Sequence, residues 1–232
     1  MAKYLVIAAS SSIGQSVVNA LISRGDTVFT TARDNRKIQP NAFLDATDFD
    51  AVNEVFKQAG PIDGVVNCAG SLLLKSAHTT SKEQYQAVID SSLTTSFATV
   101  RAAAMHLKGG GSVVLISSAA ALVGLANHEA ISAAKAGIVG LAQSAASTYA
   151  NLNLRFNVVA PGMTDTPLTA HLISNDLAFN ASKAMHALDR IGTPEDIARA
   201  IVFLLDPINN WITGQVFAVD GGLSRVRPKM KI

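Results

Sequence analysis

Short apolar runs alternate along this chain with longer stretches in which apolar residues return every three or four positions. The runs at 4–9, 27–31, 42–44, 64–67, 112–117, 154–159 and 215–219 are too short for helices and rich in Val, Ile, Leu, Phe and Ala, and they predict strands. Between them, 13–24, 49–59, 82–107, 129–150, a short segment around 169–187, and 194–205 carry the helical period. Strands that read as unbroken apolar runs are covered on both faces. Their regular alternation with helices predicts an α/β fold, a doubly wound parallel sheet with right-handed crossovers and ligands at the carboxyl ends of its strands. No repeat, linker or low-complexity break divides the pattern, so residues 1–232 are expected to form a single domain.

Composition sharpens this picture. Hydrophobic residues make up 49% of the 232, aromatics 6% and charged residues 16%, which predicts an interior of Ala, Val, Leu and Ile. A formal charge of +2 is too small to point to nucleic acid, and most of the excess sits in Arg225, Arg227, Lys229 and Lys231, within a basic C-terminal tail at 224–232 read as solvated. The one cysteine, Cys68, excludes an intrachain disulfide and a thiolate metal cluster. The five histidines lack ligand spacing, so no metal is expected, and a reducing, cytoplasmic setting fits. The apolar run at 4–9 ends in Ser10-Ser11-Ser12 before a helical pattern, which makes it a buried strand rather than a signal peptide. The uncharged stretches 109–127 and 136–154 are diluted by Gly, Ser, Gln and Asn, and neither is expected to span a membrane.

Chemistry is then expected in the loops that follow the strands. The first is Ala8-Ala9-Ser10-Ser11-Ser12-Ile13-Gly14. In dinucleotide-binding folds such a turn aims main-chain N–H groups and a helix N-terminus at a pyrophosphate. An ordinary serine-capped strand-to-helix turn would fit the same residues. Further along, Asn67-Cys68-Ala69-Gly70 closes the fourth strand, Ser117-Ser118 the fifth, Pro161-Gly162 with Thr164 and Thr166 follows the sixth, and Asp220-Gly221-Gly222 closes the last. With Arg190-Ile191-Gly192-Thr193-Pro194-Glu195-Asp196 and Phe203-Leu204-Leu205, this ordered series resembles the short-chain dehydrogenase/reductase family over essentially the whole chain.

The resemblance implies a Rossmann-type fold and a nicotinamide cofactor. The family's turn, T-G-x-x-x-G-x-G, falls on 7–14, so that Ala8 and Ser12 stand at its first two glycines and Gly14 at the third. Ser10, Ser11 and Ile13 fall between them. Asp45 and Ala46 match the segment that borders the adenine. Asn67, Ala69 and Gly70 match the strand end that supports the sheet and the adenosine ribose, and Pro161, Gly162, Thr164 and Thr166 match the loop at the nicotinamide. Arg33, at the end of the second strand, suits a ribose 2′-phosphate and favours NADP(H). Pairing of Arg33 with Asp34 is the plainer alternative, and Asp34 keeps NAD(H) open.

The family's relay consists of Asn, Ser, Tyr and Lys. Ser118 and Lys135 match the serine and lysine, Ser92 stands at the asparagine, and Ile131, four residues before Lys135, stands where tyrosine is expected. Isoleucine has no proton to give. His128, seven residues before Lys135, is the nearest titratable side chain and could donate one near neutral pH, although a lone loop histidine is more often a surface or capping residue. A water held by Ser118, Ser92 and Lys135 is the other candidate donor.

Two functions follow. One is an NADP(H)-dependent oxidoreductase with a non-standard proton donor, acting on a small, modestly apolar carbonyl, alcohol or activated alkene. The other is a catalytically silent NADP(H)-binding sensor or partner subunit of an active relative. Loss of dinucleotide binding altogether is a third reading. Residues 168–190 resemble the family's substrate lid. The Ala-rich, charge-poor helices at 82–107 and 129–150 predict a homodimer or homotetramer assembled through them.

Overall fold

The computed structural model describes residues 1–227. Strands β1 (Lys3–Ile7), β2 (Thr27–Ala32), β3 (Ala42–Phe43), β4 (Gly64–Asn67), β5 (Gly111–Ile116), β6 (Leu154–Pro161) and β7 (Val216–Val219) form one parallel sheet of order β3-β2-β1-β4-β5-β6-β7. The order reverses between β1 and β4. That is where the connections leave in opposite directions and a crevice opens at the strand ends.

Side-chain alternation assigns the two faces. Leu5, Ile7, Val65, Val113, Leu115, Phe156 and Val158 pack beneath α2 (Phe49–Ala59), α4 (Thr95–His106) and α5 (Glu129–Thr148). Tyr4, Val6, Val66, Val114 and Val159 face α1 (Ser12–Ser23) and α7 (Pro194–Leu205). Each central strand therefore meets helix on both sides, the reason its sequence reads as a continuous apolar run.

Two motifs that carried the family resemblance are local folding devices. Thr193 and Asp196 close a capping box around Pro194 at the start of α7, and Arg190 pairs with Asp196 at 2.6 Å. Asp220 accepts from the N–H groups of Gly222 and Ser224, both at 2.9 Å, across a turn in which Gly221 and Gly222 have φ of 57° and 89°.

One element differs from its expectation. The predicted helix at 82–107 is divided into α3 (Lys82–Ile89), a π turn over Asp90–Thr94, and α4. Hydroxyls support the wider turn: Ser91 donates to the Ala87 carbonyl, Thr95 to Ser91 and Ser92, and Ser96 to Ser92, bonding carbonyls around the break in the regular ladder. The segment predicted around 169–187 is a 3₁₀ turn at Ala170–Ile173 followed by α6 (Asp176–Ala184). Arg225 and Arg227 of the basic tail are described, while Lys229 and Lys231 lie outside the described residues. Among the described residues no helix is long and apolar enough to cross a membrane, and no group of His, Cys, Asp and Glu is gathered to hold a metal.

Candidate active site

A cleft of about 1140 Å³ runs across the carboxyl ends of the strands, from the loop after β2 to the lid at α6. Single small-molecule sites occupy roughly 300–1,000 Å³, so this cleft is large enough for a dinucleotide together with a small partner molecule. Its floor begins at the turn after β1. Ser11 caps α1, its Oγ accepting the Gly14 N–H at 3.0 Å. Gly14 is required by packing, because a Cβ there would stand 2.6 Å from the Ala8 carbonyl oxygen. Ala8, at the first glycine position of the family pattern, takes the left-handed conformation, with φ of 57°, that glycine adopts without strain. Ser12 is already helical, so its place needs no positive φ. Ala8, Ser10, Ser11, Ser12 and Ile13 line the cleft, whereas Gly14 lies buried behind them.

At the end of β2 the geometry resolves which acid meets which base. Asp34 pairs with Arg36 rather than Arg33, and Arg36, through its side chain and its own N–H, lowers the Asp34 carboxyl to about 2. Arg33 is thereby left exposed at the cleft edge, together with Arg36 and Lys37. Sequence reasoning had singled out Arg33 alone. The basic cluster Arg33-Asp34-Asn35-Arg36-Lys37 was the signal for the other two. Asp45 and Ala46 line the same end, and Asp45 is occupied by the N–H and hydroxyl of Thr47.

Beneath β4 the placements divide. Ala69 and Gly70 line the cleft, but Asn67 does not: its amide donates to Thr99 and its oxygen accepts the Ala69 N–H, so it braces the strand end from within. Ser92 is likewise fully buried outside the lining, with an Oγ that has no hydrogen-bond partner among the described residues.

The other end of the cleft is organised by α5. Lys135 is 6% exposed, and its Nζ donates to the Ile116 carbonyl at 2.9 Å. Burial holds its ammonium down to about 8. Cys68, desolvated close by, is pushed up to about 12 despite the nearby lysine, which leaves it a thiol and a poor nucleophile. Ser118 Oγ accepts from Ala120 N–H at 3.2 Å, so its own proton stays available to an acceptor in the cleft. Ile131, one helical turn before Lys135, is buried and packs with Val88, Ala134, Leu73 and Ile89, presenting hydrocarbon to the cleft wall. His128 also lines the cleft. Its Nδ1 donates to the Ala126 carbonyl at 2.7 Å, which directs any exchangeable lone pair or proton to Nε2. Glu129, beside it, is the exposed first residue of α5. Pro161, Gly162, Thr164 and Thr166 line the loop after β6, with Thr166 bonded to Thr169.

One clasp had no sequence signal. His186 Nε2 accepts the Met163 N–H at 3.2 Å and its Nδ1 donates to Ser182, tying the end of α6 to the β6 loop. A Cβ on Gly162 would meet that imidazole at 2.9 Å, so glycine is required there as well.

A doubly wound sheet with a capped strand-to-helix turn at its switch point and a lysine-bearing helix beside it defines a Rossmann-type α/β protein. A family model described as enoyl-(acyl carrier protein) reductase matches residues 7–224. The chain is 34% identical to cis-4-hydroxycyclohexanecarboxylate dehydrogenase of Sinomonas cyclohexanicum, over 96% of both proteins. It is 37% identical to the inactive 2-(S)-hydroxypropyl-CoM dehydrogenase 2 of Xanthobacter autotrophicus, over 72% of this chain and 75% of that one. The solved structure of ElxO with NADP bound superposes with a TM-score of 0.87 at 28% identity, covering 96% of this chain and 99% of that one. The chain belongs to the short-chain dehydrogenase/reductase family, as an oxidoreductase-type Rossmann domain.

Proposed function

We propose that this protein binds NADP(H) and interconverts a small, uncharged, modestly apolar carbonyl compound and its alcohol, or reduces an activated alkene, with His128 as proton donor. The observation that carries the reading is the continuity of the cleft: exposed Arg33 and Arg36 at one end, buried Lys135 beside Ser118 at the other, and no interruption between them. What supports the cofactor reading is the Ser11-capped N-terminus of α1 on the cleft floor and the exposed Arg33 and Arg36 at the cleft edge, cations suited to a 2′-phosphate. Bound there, NADPH supplies the hydride.

This chain's own residues supply the rest. Ser118 offers its hydroxyl proton to the carbonyl oxygen. Lys135 offers donors to the nicotinamide ribose, and Thr164 and Thr166 line the loop that would meet the nicotinamide amide. His128, held through Nδ1, delivers a proton from Nε2. The lid contributes Leu168, Leu172, Met185 and Ala178 to the lining and no cation, which favours an uncharged substrate. The test is NADPH oxidation against a panel of carbonyls and activated alkenes. Ser118→Ala and Lys135→Ala should abolish it, and His128→Gln should lower it by about 10²–10⁴-fold. Unchanged turnover in the serine and lysine variants would sink the reading.

A specific observation favours a second reading. Ile131 is 2% exposed and presents only hydrocarbon to the cleft, and the Xanthobacter relative, described as inactive, is a precedent for a silent member of the family. On that reading NADPH binds in calorimetry while no substrate turns over. Absence of NADPH binding would defeat both. Self-association through α4 and α5 is proposed with either, since α4 leaves Phe97 and Met105 half exposed. A monomer in sedimentation would overturn it.

A further inference from the structure

Two hydroxyls on the cleft wall are ordered in one direction, and the direction follows from counting protons. Ser71 follows Gly70 in the loop after β4, and Ser91 sits in the π turn; both line the cleft. Their Oγ atoms are 2.6 Å apart, and Ser91 Oγ is also 2.7 Å from the Ala87 carbonyl oxygen. A carbonyl has no proton, so oxygens that close require the Ser91 hydroxyl to donate to Ala87. The proton between Ser71 and Ser91 must then come from Ser71. With that proton spent, Ser71 Oγ has only lone pairs left to present.

The place of the pair matters as much as its polarity. A Cβ on Gly70 would lie 3.2 Å from Lys135 Nζ, so Ser71 is one residue from the cationic end of the cleft. Ile131, Leu72 and Leu74 on the same wall are hydrocarbon. A lone acceptor in such a setting discriminates strongly, because a ligand group without a proton leaves it unpaired on binding.

We propose that Ser71 and Ser91 form a subsite that accepts a hydroxyl proton from the bound substrate, which makes the substrate class a hydroxylated carbonyl or a diol rather than a simple ketone or alkanol. The proposal rests on the reading of this cleft as the site for NADP(H) and substrate, and it adds the second functional group of the substrate. It also predicts what the site rejects: the same molecule with that hydroxyl methylated.

The probes are 1,2-cyclohexanediol and 2-methoxycyclohexanol, titrated calorimetrically into the protein saturated with NADP⁺ and, in parallel, into the protein alone. The wild type should prefer the diol by roughly tenfold, the worth of one well-placed hydrogen bond. Ser71→Ala should abolish the preference by weakening the diol. Ser91→Ala should abolish it the other way, because Ser71 then regains its proton as a donor and the methyl ether strengthens to match. Thermal melts, expected to overlay the wild type for Ser71→Ala and to fall by only about a few degrees for Ser91→Ala, which loses its bond to Ala87, separate these effects from misfolding. Equal affinity of the two probes for the wild type, no binding of either, or weakening of both probes in Ser91→Ala would overturn the subsite. Failure of NADP⁺ itself to bind is a separate readout and would count against the cofactor reading, while the titration without dinucleotide still reports on the two hydroxyls.

Discussion

Beside β2 the cleft is walled by main-chain amides and by the exposed cations Arg33, Arg36 and Lys37; beneath α5 it is walled by Lys135, 6% exposed, and by the buried hydrocarbon of Ile131. The first end costs the fold little, since exposed charges keep their hydration and the caps they surround would form in any case. The second end holds an amine that burial disfavours in its charged form. Stability and ligand binding are therefore aligned at one end and opposed at the other. At the first end the turn stays capped with Ala8 and Ser12 at two glycine positions, whereas at the second each side chain sits where burial makes a substitution felt.

The sharpest way to break the contrast is to restore a phenol. In the His128→Gln background, where no positioned acid remains, Ile131→Tyr should raise carbonyl reduction by about 10²–10⁴-fold in steady-state NADPH oxidation. No gain would mean that the pocket has changed beyond this position. At the opposite end, Arg33→Ala combined with Arg36→Ala should weaken NADPH by roughly 10–100-fold while leaving NADH within about twofold, as expected for charge-assisted bonds to one phosphate. The difference should shrink with added salt, because both cations are exposed.

Lys135→Met tests the opposition directly. The folded lysine loses its proton near 8, against 10.5 for a free lysine. Between those values the unfolded chain holds a proton that the native state has released, so wild-type stability rises with pH across that window. Below it the full penalty applies, and the methionine variant should be more stable by about 1–3 kcal/mol at pH 7 in urea titrations, with no dinucleotide binding. The smallest effect is expected at the β1 turn. Ala8→Gly should stabilise by about 0.5–1 kcal/mol by relieving a left-handed alanine, net of the extra freedom glycine has when unfolded.

Much of this was legible in the chain. Strand and helix placement followed from apolar periodicity because every central strand is covered twice: the helix at 194–205 was placed to the residue by its Thr193-Pro194 start, while α1 and the strands shifted by one or two residues at their ends. Ile131 could be located by its spacing from Lys135 alone. What could not be read was side-chain pairing. Asp34 chose Arg36 over Arg33, Asn67 and Ser92 turned inward, and His186 reached Met163 across 23 residues. Such choices depend on where the backbone carries each group, which no local pattern encodes. The π turn was hidden for a related reason, since Ser91, Thr95 and Ser96 fit an unbroken helix over 82–107 and only the backward bonds of their hydroxyls mark the break.

Lys135 is paired to a carbonyl and, among the described residues, to no carboxylate, so its counter-charge has to arrive with whatever fills the crevice. An anionic occupant restores the amine's appetite for hydrogen ions and draws one from the medium as it docks. Affinity for such a molecule should therefore decline as the solution turns alkaline past about 8, and the heat of docking should vary with the ionisation enthalpy of the buffer.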